Sequence, residues 1–370
     1  MPTLTTRQTL RGLDIGLLTV TLILLVVGIA ALLSFSLNTG AAGQDLVIRQ
    51  CIFAALGLTA LWFLAKTDYR FFAGLHWVLY GFSVALLVGV VFFGRTINGT
   101  TGWFNLGFAQ LQPVEFVKVA MAIVLAKFFS DHQDELQRPG LVGRSALIAA
   151  VPVLLVMAQP DFGSAFVLIA IWLGILMVVP VPKKYLLAIL TGFAVLSVIA
   201  WFGLLRPYQK DRILTFIHPA SNSRGAGYNV KQSVTAIGSG GWFGRGLGLG
   251  PQSQLNFIPE RQTDFIFATI GEELGFVGGG AVILLFTLLF WRLMLMFRRS
   301  QDMFSGLLVV SLAVVFFVHV IINIGMNIGV FPVTGIPLPF ISYGGSSLLA
   351  NLLAIGLLES VAIRQRARTE

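Results

Sequence analysis

Cysteine is almost absent from this 370-residue chain, which contains only Cys51. An internal disulfide and a cysteine-rich metal site are therefore excluded. Histidine is scarce as well, and His76, His132, His218 and His319 are scattered without ligand spacing. Charged residues make up 11% of the chain, and the formal charge of +9 forms no continuous basic face. That distribution argues against nucleic acid as a partner. The glycine run from Gly238 to Gly250 matches neither GxGxxG nor a Walker P-loop, so a phosphate cradle is not expected there.

What is present is apolar. Hydrophobic residues form 56% of the chain, 31 of them Phe, and the mean hydropathy is +0.86. These values place it among polytopic membrane proteins. Runs long enough to span a bilayer lie near 15–36, 50–66, 71–94, 113–130, 145–159, 162–180, 184–205, 265–291, 303–329 and 345–363. The first follows Arg7 and Arg11, is too long for a signal-peptide core and lacks a cleavage site, so it reads as a retained signal-anchor helix. The expected fold is an all-α polytopic bundle of about ten helices, a single membrane domain over 1–370.

An even number of spans puts both termini on one side. Lys66, Arg70, Lys127, Arg138, Arg144, Lys183, Lys184, Arg292, Arg298, Arg299, Arg364, Arg366 and Arg368 fall on that side, opposite Arg49 and Arg95. The positive-inside rule makes the terminal side cytoplasmic. The polar stretch 206–264, between spans seven and eight, then becomes one large extracytoplasmic loop. A site there meets no cytoplasmic nucleotide and needs an activated substrate delivered through the membrane. Within the loop, Val230, Val234 and Ile237 recur at helical spacing, which predicts an amphipathic helix on the membrane or on the bundle. The glycine run after it reads as a re-entrant turn.

Ionisable groups in spans are costly and each is a functional candidate. Glu115, in the first turn after Pro113, suits a helix N-terminus. Lys118 does not, yet it shares the face of Glu115, which suggests a paired carboxylate, a bound phosphate or both. Asp161 is either the N-cap of the sixth span or a site residue. Asp264 either caps the eighth span or acts as a general base at the membrane mouth. Glu272 and Glu273 lie deeper, where one of them either pairs with a cation or serves structure alone. His319, Asn323 and Asn327 share a helix face, as interhelical hydrogen bonding or a proton path would require.

Several blocks together carry a resemblance over nearly the whole chain. They are Gln159-Pro160-Asp161-Phe162-Gly163, Gly225-Ala226-Gly227-Tyr228 with Gln232-Ser233, Ala236 to Gly241, Gln252 to Leu255, Pro259 to Phe267, Gly271 to Gly275, and Gly335 to Ser346. In these the chain resembles the SEDS proteins (shape, elongation, division and sporulation), and the elongation member more than the division member. The resemblance implies a peptidoglycan glycosyltransferase that polymerises lipid II outside the cytoplasmic membrane. It implies work with a class B penicillin-binding protein transpeptidase and other rod-complex proteins. The family's essential aspartate falls on Asp264, its cavity pair on Glu115 and Lys118, and its turn aspartate on Asp161. Three positions depart: Gly102 stands where many members have arginine, Val114 replaces a serine and Gln262 a histidine.

On that resemblance, Asp264 is expected to take the proton of the acceptor hydroxyl, with inversion at the donor sugar. Lys118, with Arg212 or Arg261 from the loop, would offset charge on the departing pyrophosphate. Glu115 and Asp161 would orient Lys118 or hold a divalent cation, magnesium or manganese. The alternatives are a flippase for lipid-linked cell-wall precursors and a structural anchor for the transpeptidase.

Overall fold

The computed structural model describes residues 12–366, apart from 40, 98, 106, 108–109, 205–209, 211–213, 215–225, 256 and 259. Ten long helices coincide with the ten predicted spans. They are α1 (Ile15–Thr39), α2 (Ala41–Lys66), α4 (His76–Phe93), α5 (Pro113–Asp131), α6 (Pro139–Ala158), α7 (Phe162–Val178), α8 (Lys183–Ile199), α11 (Ile266–Arg298), α12 (Met303–Asn327) and α13 (Gly345–Arg366). A short α3 (Tyr69–Gly74) joins α2 to α4, and α9 (Ala226–Gly240) and α10 (Pro251–Gln254) lie between α8 and α11. Among the described residues, eight helices are long and apolar enough to cross a membrane. The other two are α7, with 17 residues, and α5, which carries Glu115, Lys118 and Lys127.

The sequence explains where helices start. Pro113 and Pro139 occupy first-turn positions of α5 and α6, where the missing N–H costs nothing. Asp68, Asp161 and Asp302 cap α3, α7 and α12 through the backbone N–H groups of Arg70, Ser164 and Ser305. The bundle is built inside out relative to lipid exposure. Buried side chains cover most of α5, α12 and α13, whereas α4 and α8 are largely exposed. Exposed Trp77, Phe82, Phe92, Phe93 and Trp291 line the outer wall. Such a surface fits hydrocarbon, where the helix satisfies its own backbone. The chain is a multi-pass membrane protein.

One element was not anticipated. Between α4 and α5 lies an antiparallel sheet of β1 (Arg95–Ile97), β2 (Thr100–Asn105) and β3 (Gln110–Leu111). Its sequence signal is the Asn98-Gly99 dipeptide, a hairpin-turn pair, and Gly99 has φ +83°. Ser346 at the start of α13 fixes the sheet's exit: its hydroxyl donates to the Gln110 carbonyl and accepts from the Gln112 N–H.

The expected amphipathic helix is α9, and it packs on α11. The glycine run after it does turn back on the bundle, and it meets a break in α11. Gly275, at φ +68° and ψ −161°, interrupts the helix, a conformation open to glycine alone at little cost. The carbonyls of Glu272 and Glu273 are taken by the N–H groups of Arg245 and Gly246, each at 3.0 Å. In return, Phe276 and Val277 donate to the carbonyls of Gly241 and Trp242. The broken helix and the turn thus complete each other's backbone bonding, the condition for irregular backbone within a membrane protein. Exposed Trp242, Phe243, Leu247 and Leu249 give the turn an apolar tip.

Candidate active site

The site begins with a charge pair inside the bundle. Lys118 Nζ donates to Glu115 Oε1 at 2.7 Å, with the side chains 1% and 3% exposed. Both lie on α5 at i and i+3, the spacing that places side chains on one face. Lys118 Nζ also lies 3.1 Å from Nε2 of His319 on α12. An ammonium only donates, so Nε2 is the acceptor and the ring proton sits on Nδ1, which makes no hydrogen bond among the described residues. The paired carboxylate expected from the sequence is therefore present, with a neutral imidazole as third member.

Asn323 and Asn327 continue the same face of α12. Successive members rise roughly 6 Å at four residues per step. Both amides donate to the Asp264 carbonyl at 3.0 Å. Asn323 also donates to the Ile336 carbonyl, and Asn327 Oδ1 accepts from the Ala268 N–H. The interhelical hydrogen bonding anticipated for this face is what it does. It joins the Lys118 cluster to the turn that carries Asp264.

Asp264 does not cap α11. The N-cap position is Phe265, and it makes no side-chain cap hydrogen bond. The half-buried Asp264 carboxylate instead faces Gly335, where an added Cβ would stand 3.6 Å from Oδ2. Gly335 opens the block 335–346, which lies over the Asp264 turn. Ser342 Oγ donates to the Thr263 carbonyl at 2.6 Å and accepts from the Leu338 N–H, while the Tyr343 N–H donates to the Gln262 carbonyl. Buried Gln50 of α2 clasps the same block, donating to the Ser342 carbonyl and accepting from the Gly344 N–H. These partners were missed in the sequence, because a serine or glutamine carries no periodic signal for so distant a contact.

The remaining candidates divide. Asp161 performs the capping role, yet its helix start is close to the site, since Gly163 abuts Thr334 and Ile336. Arg261, three residues before Asp264, is buried and stacks on Phe35 at 4.2 Å. Its two terminal nitrogens make no hydrogen bond among the described residues, and they border a small cavity with Gln254, Thr269 and Glu273. Burial lowers its guanidinium below the usual value, while the charges of Glu273 and Glu272 offset part of that effect. Arg212 lies outside the described residues. Glu272 accepts from the N–H groups of Gln252 and Ser253, capping α10, and both Glu273 oxygens accept from Ser34 of α1. Gly102, one of the three departing positions, sits beside Gln159 and Gln112 at the mouth of α5.

Among the described residues, no group of three or more His, Cys, Asp or Glu side chains could hold a metal ion. These side chains do not fit a protein-built cation cage. The arrangement offers instead a half-buried carboxylate at the mouth of the bundle and, inside it, a buried lysine paired with Glu115.

Comparisons with known proteins agree with this architecture. The FtsW, RodA and SpoVE family model, described as a cell cycle protein, matches residues 13–367. Peptidoglycan glycosyltransferase MrdB of Escherichia coli (strain K12) is 37% identical over 325 residues, 87% of each chain. Stage V sporulation protein E of Bacillus subtilis (strain 168) is 36% identical over 368 residues, covering 97% of this chain and 99% of its own. The solved rod shape determining protein RodA of Thermus thermophilus matches with a TM-score of 0.72 at 30% identity, over 97% of this chain and 98% of that one. A chain from work on structural coordination of polymerization and crosslinking by a peptidoglycan synthase complex matches with a TM-score of 0.81 at 32% identity, over 97% and 99%.

Proposed function

Because the chain belongs to the FtsW, RodA and SpoVE family, and is a peptidoglycan glycosyltransferase by that membership, we propose how its residues perform the transfer. The substrate is lipid II, and both donor and acceptor reach the site from the bilayer. The acceptor 4-hydroxyl oxygen attacks the anomeric carbon of the donor sugar. The bond from that carbon to the pyrophosphate oxygen breaks, and the polyprenyl pyrophosphate leaves with the electron pair. The Asp264 carboxylate takes the hydroxyl proton. A single displacement inverts an α-linked donor to a β-linked product.

The observation that supports this reading is the position of Asp264. It is released from capping and held through its own carbonyl by Asn323 and Asn327. Preorganisation of this kind is where catalytic groups gain their effect. Lys118 offsets negative charge on the departing pyrophosphate, with Glu115 and His319 fixing its ammonium. Asp161 holds the start of α7 beside Thr334 and Ile336. Arg261 acts from the α1 side of the same turn, and Arg212 from the loop. A magnesium or manganese ion would supply further charge neutralisation at the pyrophosphate.

The termini lie on the cytoplasmic side, and the loop over 206–264, with the Asp264 site, lies outside. The synthase complex of the structural relative supports a class B penicillin-binding protein transpeptidase as partner. The flippase alternative needs access from both faces, and no observation favours it.

The test is lipid II polymerisation by purified protein with its transpeptidase, comparing wild type with Asp264→Asn at matched folding. Glycan strands from wild type and none from the variant are expected. Equal polymer from both would remove Asp264 as the base.

A further inference from the structure

A sizeable cavity lies far from Asp264. α11 begins beside Asp264 and runs 33 residues to Arg298, so its far end is roughly 45 Å away. There a cavity of about 330 Å³ opens between the start of α1 and the ends of α11 and α13. That volume is within the range of small-molecule sites. Leu295, Met296 and Ala362 form its apolar side, and Gln301, Gln365, Arg299, Arg366 and Asp14 its polar side.

The lining carries two arginines, Arg299 and Arg366, against one carboxylate, Asp14. Asp14 is already neutralised: Arg292 Nε donates to its Oδ1 at 3.0 Å, and the Leu17 N–H donates to the same oxygen. Glu359 is wholly buried behind it and accepts from the Asp14 N–H. Arg299 is exposed and makes no side-chain hydrogen bond or ion pair among the described residues. Arg366 uses one nitrogen on the Leu13 carbonyl at 2.7 Å and holds its guanidinium at the rim. An apolar wall next to two cations and two amides, at the end of a membrane bundle, matches a phosphodiester with acyl chains attached.

We propose that this cavity is a binding site for the headgroup of an anionic phospholipid. Arg299 and Arg366 contact the phosphate, Gln301 the glycerol oxygens, and Leu295, Met296 and Ala362 the first methylenes of the acyl chains, while Gln365 is held by the Met296 carbonyl and Ser300 Oγ. The site is independent of the glycosyl-transfer chemistry.

The experiment is native mass spectrometry of the full chain in detergent, titrated with phosphatidylglycerol, phosphatidylcholine or inorganic phosphate. Wild type is expected to retain one phosphatidylglycerol at concentrations where phosphatidylcholine does not bind. At about 1 kcal/mol per juxtamembrane cation, Arg299→Gln with Arg366→Gln is expected to weaken it about 30-fold. Gln301→Trp keeps both cations and obstructs the exposed mouth, so it covers a failure of the double variant to fold; it too is expected to lose the lipid. Lipid II polymerisation by either variant checks that the fold is intact. Equal retention of the two lipids, or unchanged binding by Gln301→Trp, would overturn the site. Inorganic phosphate binding as tightly as phosphatidylglycerol would overturn the lipid as its source.

Discussion

Lys118 of α5 and His319 of α12 meet at 3.1 Å across 201 positions of sequence, with Glu115 completing a buried triad. A lysine near the positive end of a helix is disfavoured, and here a carboxylate and an imidazole offset that cost. Lys118→Met is expected to leave Glu115 charged and unpaired, lowering stability by about 3–5 kcal/mol and abolishing polymerisation. Adding Glu115→Gln should return most of the stability and none of the activity. Thermal melting in detergent, read beside glycan synthesis, checks both. Polymer from the double variant would take Lys118 out of the reaction.

Asn323 supports two carbonyls at once, those of Asp264 and Ile336. Asn323→Ala is expected to strand buried acceptors at a cost of about 1–3 kcal/mol. Movement of the Asp264 turn by about 1 Å is expected to lower kcat up to about 100-fold with KM little changed. Steady-state kinetics with defined lipid II separate the two parameters. A rise in KM alone would contradict a positioning role.

Gly335 combines a positive φ of +76° with a place beside the Asp264 carboxylate. Gly335→Ala is expected to cost about 1–2 kcal/mol for the left-handed backbone. It also sets a methyl group against Oδ2, so polymerisation should fall more than the melting temperature implies. Wild-type activity in this variant, measured at matched folded fraction, would show that the carboxylate works from elsewhere.

Tyr69 of α3 donates to Asp302, the cap of α12, at 2.8 Å. Burial, with the hydrogen bond to Asp302 and its charge, pushes the phenol up to about 12. A raised phenol contributes stability in full below its unfolded value of about 10, and loses it as pH climbs through 12. Burial alone would raise Asp302, but bonds from Ser305, Tyr69 and Arg70 hold it below the usual carboxylate range. Its contribution is present above about pH 4 and is lost on acidification. Tyr69→Phe should cost about 1 kcal/mol near neutrality and flatten the decline between pH 10 and 12. An unchanged alkaline profile would assign that decline to another group.

The ten helices were legible because a lipid-facing span needs only a long apolar run, and that signal is local. The Glu115–Lys118 pair was legible for the same reason, being one turn of one helix. The face of His319, Asn323 and Asn327 could be read, but not what it holds, since Asp264 is about 60 residues away. The three strands escaped notice because none exceeds six residues. Arg261 and Asp264 stand three apart, yet one turns to Phe35 and the other to Gly335. The tight turn that carries both, with Glu260 at φ +51° immediately before Arg261, decides that direction, and spacing alone does not encode it.

The break at Gly275 sets a timetable for assembly. The turn around Gly241 to Gly246 leaves the ribosome before α11, yet its partners are the carbonyls of Glu272 and Glu273. Until α11 arrives, only water can receive the N–H groups of Arg245 and Gly246, and the apolar tip has no helix beside it. The chain must therefore keep this segment waiting at the membrane surface and seat it only when its eighth span inserts. A tag or insertion at Gly241 to Gly246 would strike at biogenesis, before any sugar is transferred.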